Sequence, residues 1–123
     1  MNRRDFPIGG LNSHLHLVAG NFPGNGAAAP AASTYAYCPD IKSITWAATG
    51  LYTVELVDKW PKVISITTSV QDATPDNNGI AAIVSETIAT DGKFVLQYRV
   101  NNVATNLDSA AKIHFNALLR NRS

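Results

Sequence analysis

His14-Leu-His16 is the arrangement in this chain that most resembles metal chemistry. Residues i and i+2 of a strand point to the same side, so two imidazoles could be offered to one transition-metal ion. Two ligands do not make a site, and a zinc centre wants at least three from the protein. His114 could complete a triad if its strand ran beside residues 13–20. The competing reading is of polar side chains on a solvated or inter-subunit face, and we take the histidines that way. His14 and His16 therefore stand as weak metal candidates, and no cofactor is expected.

Cupins also place His-x-His on a jelly roll, but their pattern continues with a glutamate, a glycine and another histidine. Here Leu17-Val-Ala-Gly-Asn-Phe22 follows, and the pattern fails at the third ligand. The single cysteine lies in Tyr35-Ala-Tyr-Cys-Pro-Asp40, with no basic neighbour or helix N-terminus to lower its pKa, so Cys38 reads as a semi-buried structural thiol. No Gly-x-Ser-x-Gly elbow, phosphate loop, dinucleotide fingerprint or Cys-x-x-Cys pair occurs. The acidic residues fall one at a time in turns and strand ends. No catalytic residue is assigned, and the chain is expected not to be an enzyme.

Two further groups could bind rather than react. Trp46, Trp60, Tyr35, Tyr37 and Tyr52 could build a sugar-stacking platform. Trp46 and Tyr52 share the apolar parity of one hairpin, which points to the core and leaves Tyr35 and Tyr37 as the free candidates. Arg3 and Arg4 near one end and Arg120 and Arg122 near the other form small positive clusters that could meet an acidic patch or simply solubilise the termini.

A chain of 123 residues suits one compact domain. Ten Lys and Arg against nine Asp and Glu give no field that would draw nucleic acid or an anionic membrane. Only 15% of the residues are charged, below the usual quarter or so, and much of the polar surface must be neutral, as suits a subunit that touches neighbours. One cysteine permits no intrachain disulfide, which favours folding in reducing cytoplasm. No apolar run matches a signal peptide or a membrane span, and a soluble protein is expected.

The elements read as β throughout. Residues 1–12 carry Arg3, Arg4, Pro7, Gly9 and Gly10 without periodicity, as an extended arm would. Residues 13–20 alternate, with Leu15, Leu17 and Ala19 on the expected apolar face. Residues 21–32 form a long Gly/Ala/Pro loop. A hairpin follows, with Ile44, Trp46 and Ala48 leading through Thr49-Gly50 to Tyr52, Val54 and Leu56. The next strand sets Ile64, Ile66, Thr68 and Val70 against an uncharged, hydroxyl-rich outer face of Ser65, Thr67, Ser69 and Gln71. Asp91-Gly92 predicts a two-residue type I′ turn between strands 80–90 and 93–100. Glu86 shares the parity of Val84 and Ile88, which calls for a bulge or for a partner over the carboxylate. A loop over 101–111 leads to a last strand with Ile113, Phe115, Ala117 and Leu119 inward. The fold class is all-β: one β-sandwich or jelly-roll-like domain over 13–123, preceded by the arm.

His16-Leu-Val-Ala-Gly-Asn-Phe22, Ala48-Thr-Gly-Leu-Tyr-Thr-Val-Glu-Leu56, Trp60-Pro-Lys62 and Leu118-Leu-Arg-Asn121 together resemble small structural proteins of tailed bacteriophages, most of all head decoration (cement) proteins. In that group a glycine-rich turn precedes the first hairpin, where this chain has Tyr37-Cys-Pro-Asp-Ile41. The resemblance implies a homotrimeric β-sandwich that binds the major capsid protein on the outside of the virion and stabilises the shell, made in the host bacterial cytoplasm, with no catalytic residue. The capsid contacts it would place on the arm and loop are Arg3, Arg4, Phe6, Ile8 and Phe22. The alternatives are a trimeric glycan- or receptor-binding module of a phage tail, dependent on Tyr35 or Tyr37, and a small jelly-roll metalloprotein centred on His14 and His16.

Overall fold

The computed structural model describes residues 14–74 and 78–121. The arm, with Arg3, Arg4, Phe6 and Ile8, lies outside the described residues, as does Arg122. Alternation of apolar and polar side chains drives the described chain into β1 (Leu15–Pro23), β2 (Ile41–Ala48), β3 (Leu51–Leu56), β4 (Lys62–Gln71), β5 (Gly79–Thr87), β6 (Lys93–Val100), β7 (Val103–Ala104) and β8 (Lys112–Arg120). A 3-10 turn covers Ala32–Tyr35, and one helical turn, α1 (Ile88–Asp91), follows β5. Every pairing is antiparallel. One sheet has the order β1-β8-β4; the other has β2-β3-β6-β5, with β7 added to β6. The two sheets pack as a sandwich, the all-β architecture that the alternation predicts.

The inner faces meet through aromatic rings. Phe22 and Phe115 come from the three-stranded sheet, Tyr52 and Phe94 from the larger one. Phe22 packs tilted on Tyr52 at 5.4 Å and on Phe115 at 6.3 Å, and Phe115 meets Phe94 edge-on at 5.4 Å. Val18, Ile113, Ala117 and Leu119 on one side and Val54 and Leu96 on the other complete a core with essentially no exposure. Among the described residues no polar or charged side chain outside this apolar set is fully buried.

Several local expectations change. In β1 the buried residues are Val18 and Phe22, so His16 is on the inner face while Leu17 is 40% exposed outside. The strand also runs on to Pro23, which shortens the predicted loop at its start. Phe22, a candidate capsid contact, is wholly buried against Tyr52 and Phe115 and offers no surface to a partner.

The turn at Asp91-Gly92 is not the two-residue type I′ turn either. β5 stops at Thr87, Ile88 buries itself at the start of α1, and only Gly92, at φ 75°, takes the left-handed conformation that lets its N–H reach the Ile88 carbonyl. Positive φ at both central residues occurs instead at Asn101 and Asn102, which join β6 to β7 in a tight hairpin inside the predicted loop. Glu86 resolves in favour of a bulge. The register slips between Ile83 and Ser85, Glu86 comes opposite Phe94, and its carboxylate accepts the Ile88 N–H at 3.0 Å. A second bulge lifts Ile64 out of the β4 face, leaving it 52% exposed.

The segment before β8 is tied down from several sides. Asn106 Oδ1 accepts from Trp46 Nε1 at 2.9 Å and from the Gly50 N–H at 3.0 Å, and the Tyr52 hydroxyl accepts from the Leu107 N–H at 2.8 Å. Gly24 presses against Leu107 so closely that a Cβ there would sit 1.9 Å from the Leu107 carbonyl oxygen, which only glycine allows.

Tyr52→Phe tests the strongest of these ties. Burial pushes the Tyr52 phenol above its ordinary pKa, and the hydrogen bond from Leu107 draws it part of the way back. The variant strands a buried N–H, so urea unfolding at neutral pH is expected to show a loss of about 1–3 kcal/mol. With the folded pKa above an unfolded value of about 10, the tyrosine's contribution is complete below that pH and is lost as pH rises toward the folded pKa. Wild type should therefore lose more stability than Tyr52→Phe above about pH 10. Parallel losses would contradict the role given to the phenol.

Candidate functional site

The histidines separate by face. His16 points inward at the start of β1, where its ring stacks on Trp60 at 4.6 Å and 9° and its Nε2 lies 3.2 Å from Asp40 Oδ2. β8 does run beside β1, as a three-histidine site would need, but its register sets His114 opposite Asn21 and Leu119 opposite His16. Five residues of strand, roughly 17 Å, lie between the two ring positions, and His114 faces outward. Among the described residues no three His, Cys, Asp or Glu side chains gather closely enough to hold a metal ion. No helix among them is long and apolar enough to cross a membrane.

The aromatic candidates divide as well. Tyr35 is buried, and its hydroxyl accepts the Ile44 N–H at 3.0 Å, so it serves the core rather than a ligand. Trp46 packs half-buried against the core, and Tyr52 is wholly inside it. Tyr37 alone of these remains at the surface, 66% exposed, with its hydroxyl donating to Asn21 Oδ1 at 2.7 Å. Cys38 is a buried free thiol.

Tyr37 marks the rim of a cleft of about 440 Å³ on the outer face of the three-stranded sheet. That volume falls in the range of roughly 300–1,000 Å³ found for small-molecule sites. The strand register builds the floor as two cross-strand rows. Ser69, His114 and Asn21 align across β4, β8 and β1, and Thr67, Asn116 and Ala19 align one step along. Tyr37, Cys38 and Pro39, carried by the segment between the 3-10 turn and β2, form a wall beside β1. No Lys, Arg, Asp or Glu lines the cleft.

The polar groups on this floor are oriented. Asn21 Oδ1 is taken by Tyr37, and Asn116 Oδ1 accepts from Thr67 Oγ1 at 2.7 Å, so both amides present their NH₂ groups. His114 Nε2 lies 3.2 Å from Gln71 Oε1, which fixes the ring over the floor. The arrangement offers both donors and acceptors to a bound molecule. It is suited to binding.

The sequence carries half of this signal, in the uncharged hydroxyl face of β4. Asn21 and Asn116 are missed because only the placement of β8 between β1 and β4 brings them together.

His16→Ala should remove the Trp60 stack and the Asp40 contact, lowering stability by about 1 kcal/mol. Elemental analysis of wild type and variant is expected to find the same metal content in both. Stoichiometric metal in wild type that disappears in the variant would overturn the packing role. Comparison of the chain with protein-family models, with curated proteins and with solved structures found no match.

Proposed function

We propose that the chain is a structural subunit of a bacteriophage virion, a homotrimeric head decoration protein that binds the major capsid protein on the outer surface and stabilises the shell. The observation that carries this reading beyond the sequence resemblance is an apolar edge. Ile80, Ile83 and Val84 on edge strand β5 are 50%, 41% and 53% exposed. Thr68 on β4 donates to the Ala81 carbonyl of β5 at 2.6 Å, and counting outward from that contact brings Ile64, itself half exposed, to the level of Val84 and Ser85. Large apolar side chains left exposed on one edge strand, Ile80 on its outer face and Ile83 on its inner, mark an edge that a partner covers.

The bulge at Ile83–Ser85 breaks the flat run of free N–H and C=O groups that would otherwise invite open-ended strand addition. A closed oligomer held by side-chain contact fits such an edge better than a growing sheet. Three copies of one modest capsid contact then act together, and effective concentration raises avidity without a large patch per subunit. The arm, residues 1–12, supplies the adaptable part of that contact in this reading, through Arg3, Arg4, Phe6 and Ile8.

Light scattering coupled to size-exclusion chromatography is expected to give three times the 13.2 kDa chain mass. Val84→Lys should shift that mass toward the monomer while leaving the chain folded, and a wild-type monomer would defeat the trimeric model. Deleting residues 1–12 should abolish binding to undecorated phage heads yet leave the oligomer intact; unchanged binding would remove the arm from the interface.

A further inference from the structure

We propose that the cleft on the outer face of the β1-β8-β4 sheet is a binding site for a neutral saccharide. The inference goes beyond the virion role and does not depend on it. It rests on the juxtaposition of Tyr37 with the cross-strand rows Ser69-His114-Asn21 and Thr67-Asn116-Ala19.

Charge narrows the ligand first. No cationic side chain lines the cleft itself, and the nearest one in register on this face, Lys112, stands one row beyond it opposite Pro23 and Gln71, so a phosphate, a carboxylate or a nucleic-acid backbone finds a balancing charge only at the cleft's edge. With no anionic one, an amine is equally poorly served. An apolar ligand would have to strip water from Asn21, Thr67, Ser69, His114 and Asn116 without replacing the lost hydrogen bonds, which costs free energy at each group.

The remaining chemistry is matched group by group. Every hydroxyl of a sugar both donates and accepts. The cleft offers the Asn21 and Asn116 NH₂ groups as donors, the Ser69 and Thr67 hydroxyl oxygens as acceptors, and the His114 imidazole as a further polar partner. Thr67 and Tyr37 hold the two amides in place, so little side-chain freedom is lost when a ligand arrives. Strands about 4.8 Å apart and same-face residues about 6.8 Å apart give the two rows a footprint of roughly 10 by 7 Å, the scale of one or two pyranose rings.

Ala19 keeps one end of the second row free of a large side chain. The exposed Tyr37 ring stands at the β1 side, where the C–H face of a sugar can pack on it.

The test uses the full-length protein with 15N labelling and a panel of glucose, galactose, mannose, N-acetylglucosamine and N-acetylgalactosamine, with N-acetylneuraminic acid and glucose 6-phosphate as charged controls. At least one neutral sugar is expected to give saturable shifts in the side-chain amides of Asn21 and Asn116 and the backbone of residues 19–21, 67–69 and 114–116. Tyr37→Ala and Asn116→Ala, both at exposed positions and checked by thermal melting, should each weaken that binding about tenfold or more.

The proposal is overturned if no neutral sugar saturates, if the charged controls bind as well as or better than the neutral ones, or if both variants bind like wild type. It is also overturned if nuclear Overhauser contacts in sugar-free protein show residues 1–13 seated in the cleft. None of these outcomes bears on oligomer mass or on capsid binding, so the two readings fail separately.

Discussion

Four rings hold this protein together. Tyr52 and Phe94 of the larger sheet flank the pair Phe22 and Phe115 of the three-stranded one, so the separation and relative orientation of the sheets follow from how these rings tilt on one another. Each large ring buries on the order of 150–250 Å², and tilted or edge-on pairs add about 0.5–1.5 kcal/mol apiece. Phe22 brings β1 against the core and, one residue earlier, Asn21 onto the opposite face. Phe115 does the same for β8, with His114 and Asn116 on either side of it. The floor of the cleft is therefore the reverse side of the aromatic core, and its side chains are spaced by packing that takes place beneath them.

The surfaces divide along the same lines. The middle of the outer face of the three-stranded sheet is uncharged and rich in amides and hydroxyls, with Lys112 at one end and Lys62 and Arg120 at the other. The β4–β5 edge is apolar and interrupted by two bulges. The end where β1 begins is stacked and polar, with His16 between Trp60 and Asp40. A low charge content leaves these regions chemically distinct from one another.

Strand existence was legible wherever alternation was strong and both parities differed in character, as in β3, β6 and β8. It misled in β1, where Leu15, Leu17 and Ala19 outnumber the apolar residues of the other parity, yet Val18 and Phe22 are the ones inside. The pull of two fully buried positions, with Trp60 covering His16, exceeds that of three partly exposed ones.

Turns were legible by composition but not by type. Asp91-Gly92 and Asn101-Asn102 both contain residues that tolerate positive φ, and the buried Ile88 decides that the first becomes a helical turn. The cleft was half legible, because the hydroxyl face of β4 is local whereas its partnership with Asn116 and Asn21 is created by pairings distant in sequence.

Those pairings carry a kinetic consequence. Among the described residues the strand partner of β1 is β8, and Leu15 opposite Arg120 closes a span of 105 residues, their numbers being subtracted. β4 reaches β8 across a much shorter span, with Gln71 opposite Lys112. Loop-closure entropy favours the shorter closure first, so β1 is expected to dock last, on the slow timescale of non-local β topologies. During that interval the free side of β8 is a template for any β1, including one from a second molecule. Exchange of this strand between chains is thus the characteristic misassembly of the fold, and crowded synthesis of many identical copies would favour it.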